Sequence, residues 1–234
     1  MIKKIVEVLL KRFKGKQILL DDKLTNSDLL TVLYTRSLMF LRASLRGWNS
    51  IIGSRCIVFF DQHVVLLHRR CITIGSGSTL GRGVKIDGLS KRGVKLGVNV
   101  NLGDHTIIKC TGSLSELGEG VKIGNNVGIG PFSYIGAAGG IDIGDNCIMG
   151  SNIGFYAENH NYDKLDSLIK DQGIRREGIR VGANCWVGSN AIFLDGCDVG
   201  EGCVIGAGSV VNKVIPKNSV IAGIPARIIS CRGS

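Results

Sequence analysis

A six-residue period governs the chain between Leu96 and Val211. Apolar residues stand six apart at Leu96, Leu102 and Ile108, at Leu117, Ile123, Ile129, Ile135 and Ile141, and again at Val181, Val187, Phe193, Val199, Ile205 and Val211. The next residue is often glycine: Gly97, Gly103, Gly118, Gly124, Gly130, Gly136, Gly182, Gly188, Gly200 and Gly206. Six is no multiple of the helical 3.6, and an amphipathic strand would alternate every second residue. A coil of short strands fits. Three units, each a strand plus a turn, close one triangular rung with the apolar residue inside. Glycine is expected at the corners, where the backbone needs angles that other residues resist. The chain has 34 glycines and only three prolines among 234 residues, interleaved with Ile, Val and Leu, which excludes collagen and low-complexity readings.

The period also accounts for the cysteines. Of eight in the chain, Cys56, Cys147, Cys185, Cys197 and Cys203 lie two residues before Val58, Met149, Val187, Val199 and Ile205. Residues two apart on a strand share a face, so these thiols are expected inside the coil, reduced. No Cys-x-x-Cys pair occurs, and no metal is expected. The largest break in the period runs from Phe155 to Val181. Its polar sequence reads as a loop over 156–180 thrown out of the coil, and loops on a rigid scaffold are where function concentrates.

Residues 1–50 lack the hexad and read as a helical, basic appended segment, with Ser27 or Asn26 capping a helix that begins near Asp28. Residues 51–234 form the coil, its first irregular turn starting near Ile52 and continuing through Val58 and Val64. The formal net charge is +10, of which +6 falls in residues 1–50, where ten Lys or Arg face four acids. Glu7 interrupts the first apolar stretch, so no export signal is expected, and Arg36 and Arg42 interrupt the best candidate for a membrane span. The expected location is cytoplasmic, with peripheral membrane contact through Arg36, Arg42 and Arg46 as one role for the segment and packing on the prism as the other. Nothing beyond net charge speaks for nucleic acid.

Three runs then narrow the class: Val181-Gly-Ala-Asn-Cys-Trp-Val-Gly-Ser189, Val204-Ile-Gly-Ala-Gly-Ser-Val-Val-Asn-Lys-Val-Ile-Pro216 and Ala222-Gly-Ile-Pro-Ala-Arg227. In this order the chain, over roughly residues 50 to 230, resembles the hexapeptide-repeat acetyltransferases, nearest to the galactoside, maltose and polysaccharide O-acetyltransferases and their antibiotic-inactivating relatives. The resemblance implies a mainly β fold, a left-handed parallel β-helix. It further implies acetyl-CoA as acetyl donor and a homotrimer with each active site between two subunits.

Acyl transfer to a hydroxyl needs a base, and a histidine with its ordinary pKa near 6.5 suits that work. By resemblance the base is His160, in the excursion before the Trp186 coil. His63, His68 and His105 have no comparable flanks and are expected to be structural or exposed. The resemblance makes the Ser189 amide the oxyanion donor, and Asn152 and Trp186 the acceptor contacts. It places Gly206 and Ala207 along the pantetheine arm, and Lys213 and Arg227 at the phosphate end. Asn212 stands where relatives often carry threonine. The β-helical carbonic anhydrases share the architecture, but need zinc-binding histidines from neighbouring coils, and no close histidine pair follows the excursion. The expected function is O-acetylation of a sugar hydroxyl, on a cell-surface polysaccharide precursor or another glycan. The alternatives are an antibiotic-inactivating acetyltransferase and a non-enzymatic scaffold whose basic segment meets a membrane.

Overall fold

The computed structural model describes residues 3–4, 6–8, 19–48 and 56–233. From Phe59 onward the chain winds as a left-handed parallel β-helix with three faces. The first face stacks Phe59–Phe60, Thr79–Leu80, Asn101–Leu102, Gly128–Ile129, Ile148–Met149, Trp186–Val187 and Val204–Ile205, and ends with Ser219–Gly223 and Ala226–Cys231. The second stacks Val65–Leu67, Lys85–Asp87, Ile107–Lys109, Tyr134–Gly136, Gly154–Tyr156, Ile192–Leu194 and Val210–Val211. The third stacks Ile72–Ile74, Val94–Leu96, Val121–Ile123, Ile141–Ile143, Ile179–Val181 and Asp198–Val199. All pairings between coils are parallel, so each apolar column of the sequence becomes a vertical stack. Phe155 and Phe193, both fully buried, lie face to face with centroids 4.7 Å apart. Val58 and Val64 are buried as expected, whereas Ile52 lies outside the described residues. Cys147, Cys185, Cys197 and Cys203 are buried inside the coil and free, while Cys56 is only half-buried.

Two expectations change here. The glycines that follow the aliphatic residues do not take unusual angles; they allow close approach. A Cβ on Gly188 would come within 2.5 Å of Ala207 N, and one on Gly200 within 2.5 Å of Lys217 N. The left-handed angles fall on other corner residues: on glycines such as Gly77, Gly83, Gly202 and Gly208, and, in the same two columns, on asparagine and histidine. Between the third and first faces stand Asn99, Asn126, Asn146, Asn184 and Asn218; between the first and second stand His63, His105, Phe132, Asn152 and Asn190. Asparagine tolerates this region because its short amide bonds locally. Asn99 Nδ2 donates to Asn126 Oδ1 and Asn126 Nδ2 to Asn146 Oδ1, both at 3.1 Å.

The third edge, between the second and third faces, carries the irregularities. Leu117 does not occupy a core position. It is 37% exposed, on an insertion between Ile107–Lys109 and Val121–Ile123, because its rung spends extra residues at this edge. The large excursion is narrower than the sequence suggests, since Tyr156, Ile179 and Arg180 belong to strands and only 157–178 leaves the coil.

Helix α1 (Asn26–Leu45) is capped by Thr25, not by Ser27 or Asn26. The Thr25 hydroxyl accepts from Asp28 N, and the Asp28 carboxylate accepts from Thr25 N. Its arginines face the coil. Arg36 donates to Thr79 Oγ1 at 2.9 Å, Arg42 pairs with Asp61 at 3.4 Å, and Arg46 donates to Val64 O at 2.6 Å. Ala43 and Trp48 pack beside Phe60 and Val64 at the start of the coil. Among the described residues no helix is long and apolar enough to cross a membrane.

Candidate active site

The sequence-derived site residues are spread over two edges of the prism, its first face and its terminal strand. At the edge between the first and second faces, Asn152, Ser189 and Ala207 lie on successive coils. Asn190 N donates to Ser151 O, and Gly208 N donates to Ser189 O, both at 2.9 Å. Ser189 Oγ accepts from Ser151 N at 3.1 Å. The Ser189 and Ala207 backbone N–H groups donate to no protein acceptor among the described residues. Two adjacent coils thus leave an unengaged donor each, which is what a chain of amides or a developing oxyanion needs. Gly206 is tied into the coil through Gly206 N to Ile221 O at 2.8 Å. Asn152 sits in the left-handed column, and its Nδ2 donates to Asn190 Oδ1 at 2.8 Å, so half of its amide is occupied by the corner.

Trp186 stands on the outside of the first face, 59% exposed, in register with Ile148 below and Val204 above. Arg227 is exposed on the terminal antiparallel strand, in register with Ala222. Lys213 is exposed just beyond Val210–Val211, on the edge between the second and third faces.

His160 belongs to that same edge. The excursion folds on itself as a short antiparallel pair, with Asn159 opposite Arg175 and His160 opposite Ile174. His160 is exposed, and its ring has no protein partner among the described residues. The other histidines behave differently. His63, His68 and His105 all hold left-handed backbone, so their positions are explained by turns. Within one chain the second face lies between His160 and the Ser189 and Ala207 corner, and the structure does not bring them together.

Several groups that fix the excursion were not singled out from sequence. Asp195, 8% exposed, accepts from Glu177 N and, at 2.7 Å, from Gly178 N, which fastens the returning strand. Arg176 pairs with Glu158 at 2.7 Å and reaches Glu116 on the neighbouring insertion at 3.8 Å. Their only sequence signal was charge within a polar stretch. Among the described residues no three His, Cys, Asp or Glu side chains gather where a metal ion would sit.

Comparison with known proteins agrees with this architecture. The family model for the bacterial transferase hexapeptide (six repeats) matches residues 178–213, and that for the hexapeptide repeat of succinyl-transferase matches residues 116–154. The chain is 30% identical over 165 residues to "Putative lipopolysaccharide biosynthesis O-acetyl transferase WbbJ" of Escherichia coli, covering 68% of this chain and 70% of that protein. It is 37% identical over 89 residues to the galactoside O-acetyltransferase of Escherichia coli, covering 38% of this chain. A third relative, "Probable acetyltransferase Rv3034c" of Mycobacterium tuberculosis, is 32% identical over 92 residues, or 39% of this chain. The matched part spans only 43% of the galactoside enzyme and 31% of the mycobacterial protein. Among solved structures, AntD, an N-acyltransferase from Bacillus cereus in complex with dTDP and 3-hydroxybutyryl-CoA, superposes with a TM-score of 0.53. It is 18% identical, and the match covers 82% of this chain and 88% of that one, which speaks for the fold alone. The chain belongs to the hexapeptide-repeat acetyltransferase family.

Proposed function

We propose that the chain is an acetyl-CoA-dependent O-acetyltransferase acting on a sugar hydroxyl of a cell-surface polysaccharide precursor or another glycan. The observation that carries the reading is the placement of the histidines: three of four stand at left-handed turns, and His160 is exposed on an anchored excursion. The likeness to an O-acetyl transferase named for lipopolysaccharide biosynthesis supports the acceptor class.

In this mechanism neutral His160 removes the acceptor hydroxyl proton while the oxygen attacks the thioester carbonyl. Negative charge on the carbonyl oxygen is met by the Ser189 N–H. The C–S bond then breaks, His160 returns its proton to the leaving thiolate, and the acetyl ester and coenzyme A depart. Ala207 N–H and Gly206 border the pantetheine arm, Lys213 and Arg227 meet the phosphates, and Asn152 and Trp186 bound the acceptor. Because His160 and the Ser189 corner lie on different edges of one prism, the reading includes a homotrimer in which His160 of one copy reaches the Ser189 corner of the next. Acetyl-CoA as donor makes the compartment cytoplasmic. Contact with the inner membrane face, expected through Arg36, Arg42 and Arg46, falls instead to the apolar outer side of α1, where Leu30, Tyr34, Leu41 and Leu45 are exposed, because those arginines bond to the coil.

Release of coenzyme A thiol, followed across sugar acceptors, tests the reading. His160→Ala is expected to lower turnover about 10²- to 10⁴-fold with the fold intact. Near-normal turnover refutes the assigned base.

A further inference from the structure

On the second face, two neighbouring strands carry Tyr134-Ile-Gly136 and Gly154-Phe-Tyr156, in register so that each tyrosine lies opposite a glycine. The glycines let the rings lie down. A Cβ on Gly136 would come 2.9 Å from Tyr134 Cε1, and one on Gly154 would come 2.7 Å from Tyr156 Cε2, so each ring leans along its own strand over its own glycine. The two rings form one floor, centroids 5.6 Å apart and planes 32° apart. Beneath them the stacked Phe155 and Phe193 make the support rigid.

This floor borders the excursion edge. A cavity of about 170 Å³ opens over it, walled by Lys109 and by Glu158, two residues before His160. Glu158 is held by Arg176. Neither tyrosine hydroxyl has a protein partner among the described residues, although burial raises the Tyr134 phenol above its ordinary pKa. An aromatic floor rimmed by a cation, a carboxylate and two free hydroxyls matches a pyranose, whose C–H face stacks while its hydroxyls bond at the rim.

We propose that Tyr134 and Tyr156 form a sugar-stacking subsite that holds the acceptor glycan beside the His160 excursion. It names the acceptor side of the function proposed above and rests on it. The pair is kept flat by Gly136 and Gly154, so the subsite is a property of register and not of either ring alone.

Saturation-transfer NMR with the methyl glycosides of galactose, glucose, mannose and N-acetylglucosamine tests binding without requiring turnover. Ring C–H protons of at least one probe should receive saturation from the wild-type protein. Tyr134→Ala and Tyr156→Ala should each weaken that signal and raise the acceptor KM by about tenfold, the scale of one lost stacking contact. The acetyl-CoA Kd should stay unchanged. Gly154→Ala retains both phenols but lifts the Tyr156 ring, and should lose the same signal, while Tyr156→Phe should retain most of it. Sugar binding that disappears in the Tyr→Ala variants while no transfer is ever detected upholds the subsite and removes the enzymatic reading. Transfer with an unaltered acceptor KM in those variants overturns the subsite and leaves the enzyme. Silence from all four probes, or a loss of oligomeric mass with unchanged sugar binding, also overturns it.

Discussion

Asn126 and Asn146 combine a left-handed backbone with side-chain amides bonded from coil to coil. Replacing Asn146 by alanine removes the bond and leaves a Cβ in a region that costs L-residues about 1–2 kcal/mol. Urea denaturation should show a loss of that order for Asn146→Ala and a smaller one for Asn146→Gly. The buried thiols make a second residue-scale prediction. Burial pushes Cys110 from the ordinary 9.0 up to about 11 and Cys197 up to about 12. Between pH 9 and 11 the unfolded chain has released these protons and the folded chain has not. Stability should therefore be at full value below pH 9 and fall above it, by about 1.4 kcal/mol per pH unit for each thiol, until the folded groups ionise. Denaturation across that range should show a shallower slope in Cys197→Ala. At this scale the inward placement of Cys147, Cys185, Cys197 and Cys203 was legible because local neighbours fix it, whereas Cys56 is only half-buried and the role given to His160 rests on resemblance. The tyrosine floor was not legible, since Tyr134 and Tyr156 become neighbours only through register between coils.

Elements in this fold depend on how closely one coil can lie on the next. Gly188 shows the limit: alanine there places Cβ against Ala207 N, and the backbones must part. Gly188→Ala should cost about 1–3 kcal/mol in a thermal or urea melt, the usual range for overpacking. The excursion depends on a different contact. Asp195→Ala deletes the carboxylate that receives Glu177 N and Gly178 N, a loss of about 1.5–3 kcal/mol confined to the returning strand. Limited proteolysis within residues 163–171 should accelerate while the coil's own melting moves less. The six-residue period announced these elements where rungs are regular, from Val181 to Val211. It misplaced Leu117 because an insertion of suitable length imitates another repeat, and only burial distinguishes the two.

Within one prism His160 and the Ser189 and Ala207 corner lie apart, so the proposed site makes a prediction about assembly. Light scattering should return three times the 25.0 kDa chain mass. Ala207→Pro removes one unengaged N–H, and His160→Ala removes the proposed base. If neighbouring copies share a site, co-assembled chains carrying one defect each should recover part of the activity that either variant lacks alone. Recovery absent in verified mixed oligomers would refute the pairing of His160 of one copy with the Ser189 and Ala207 corner of the next. Charge also reads differently at this scale. Of the two roles the sequence allowed for the basic segment, the arginines take packing on the prism: Arg36, Arg42 and Arg46 are committed to the coil, because Thr79, Asp61 and Val64 O offer partners at its start.

Surplus length gathers on one seam of the prism. The segments 88–93, 111–120 and 157–178 all leave the coil between the second and third faces, and they brace one another through Lys91 with Glu119 and Arg176 with Glu116. Chain can be added or exchanged along that seam without shifting the register of any storey, while the opposite corner, with Ser189 and Ala207, stays as it is. One scaffold can thus take on new surface chemistry by rewriting a single margin while its coils stay in place, and a foreign hairpin grafted over 163–171 is the natural place to begin.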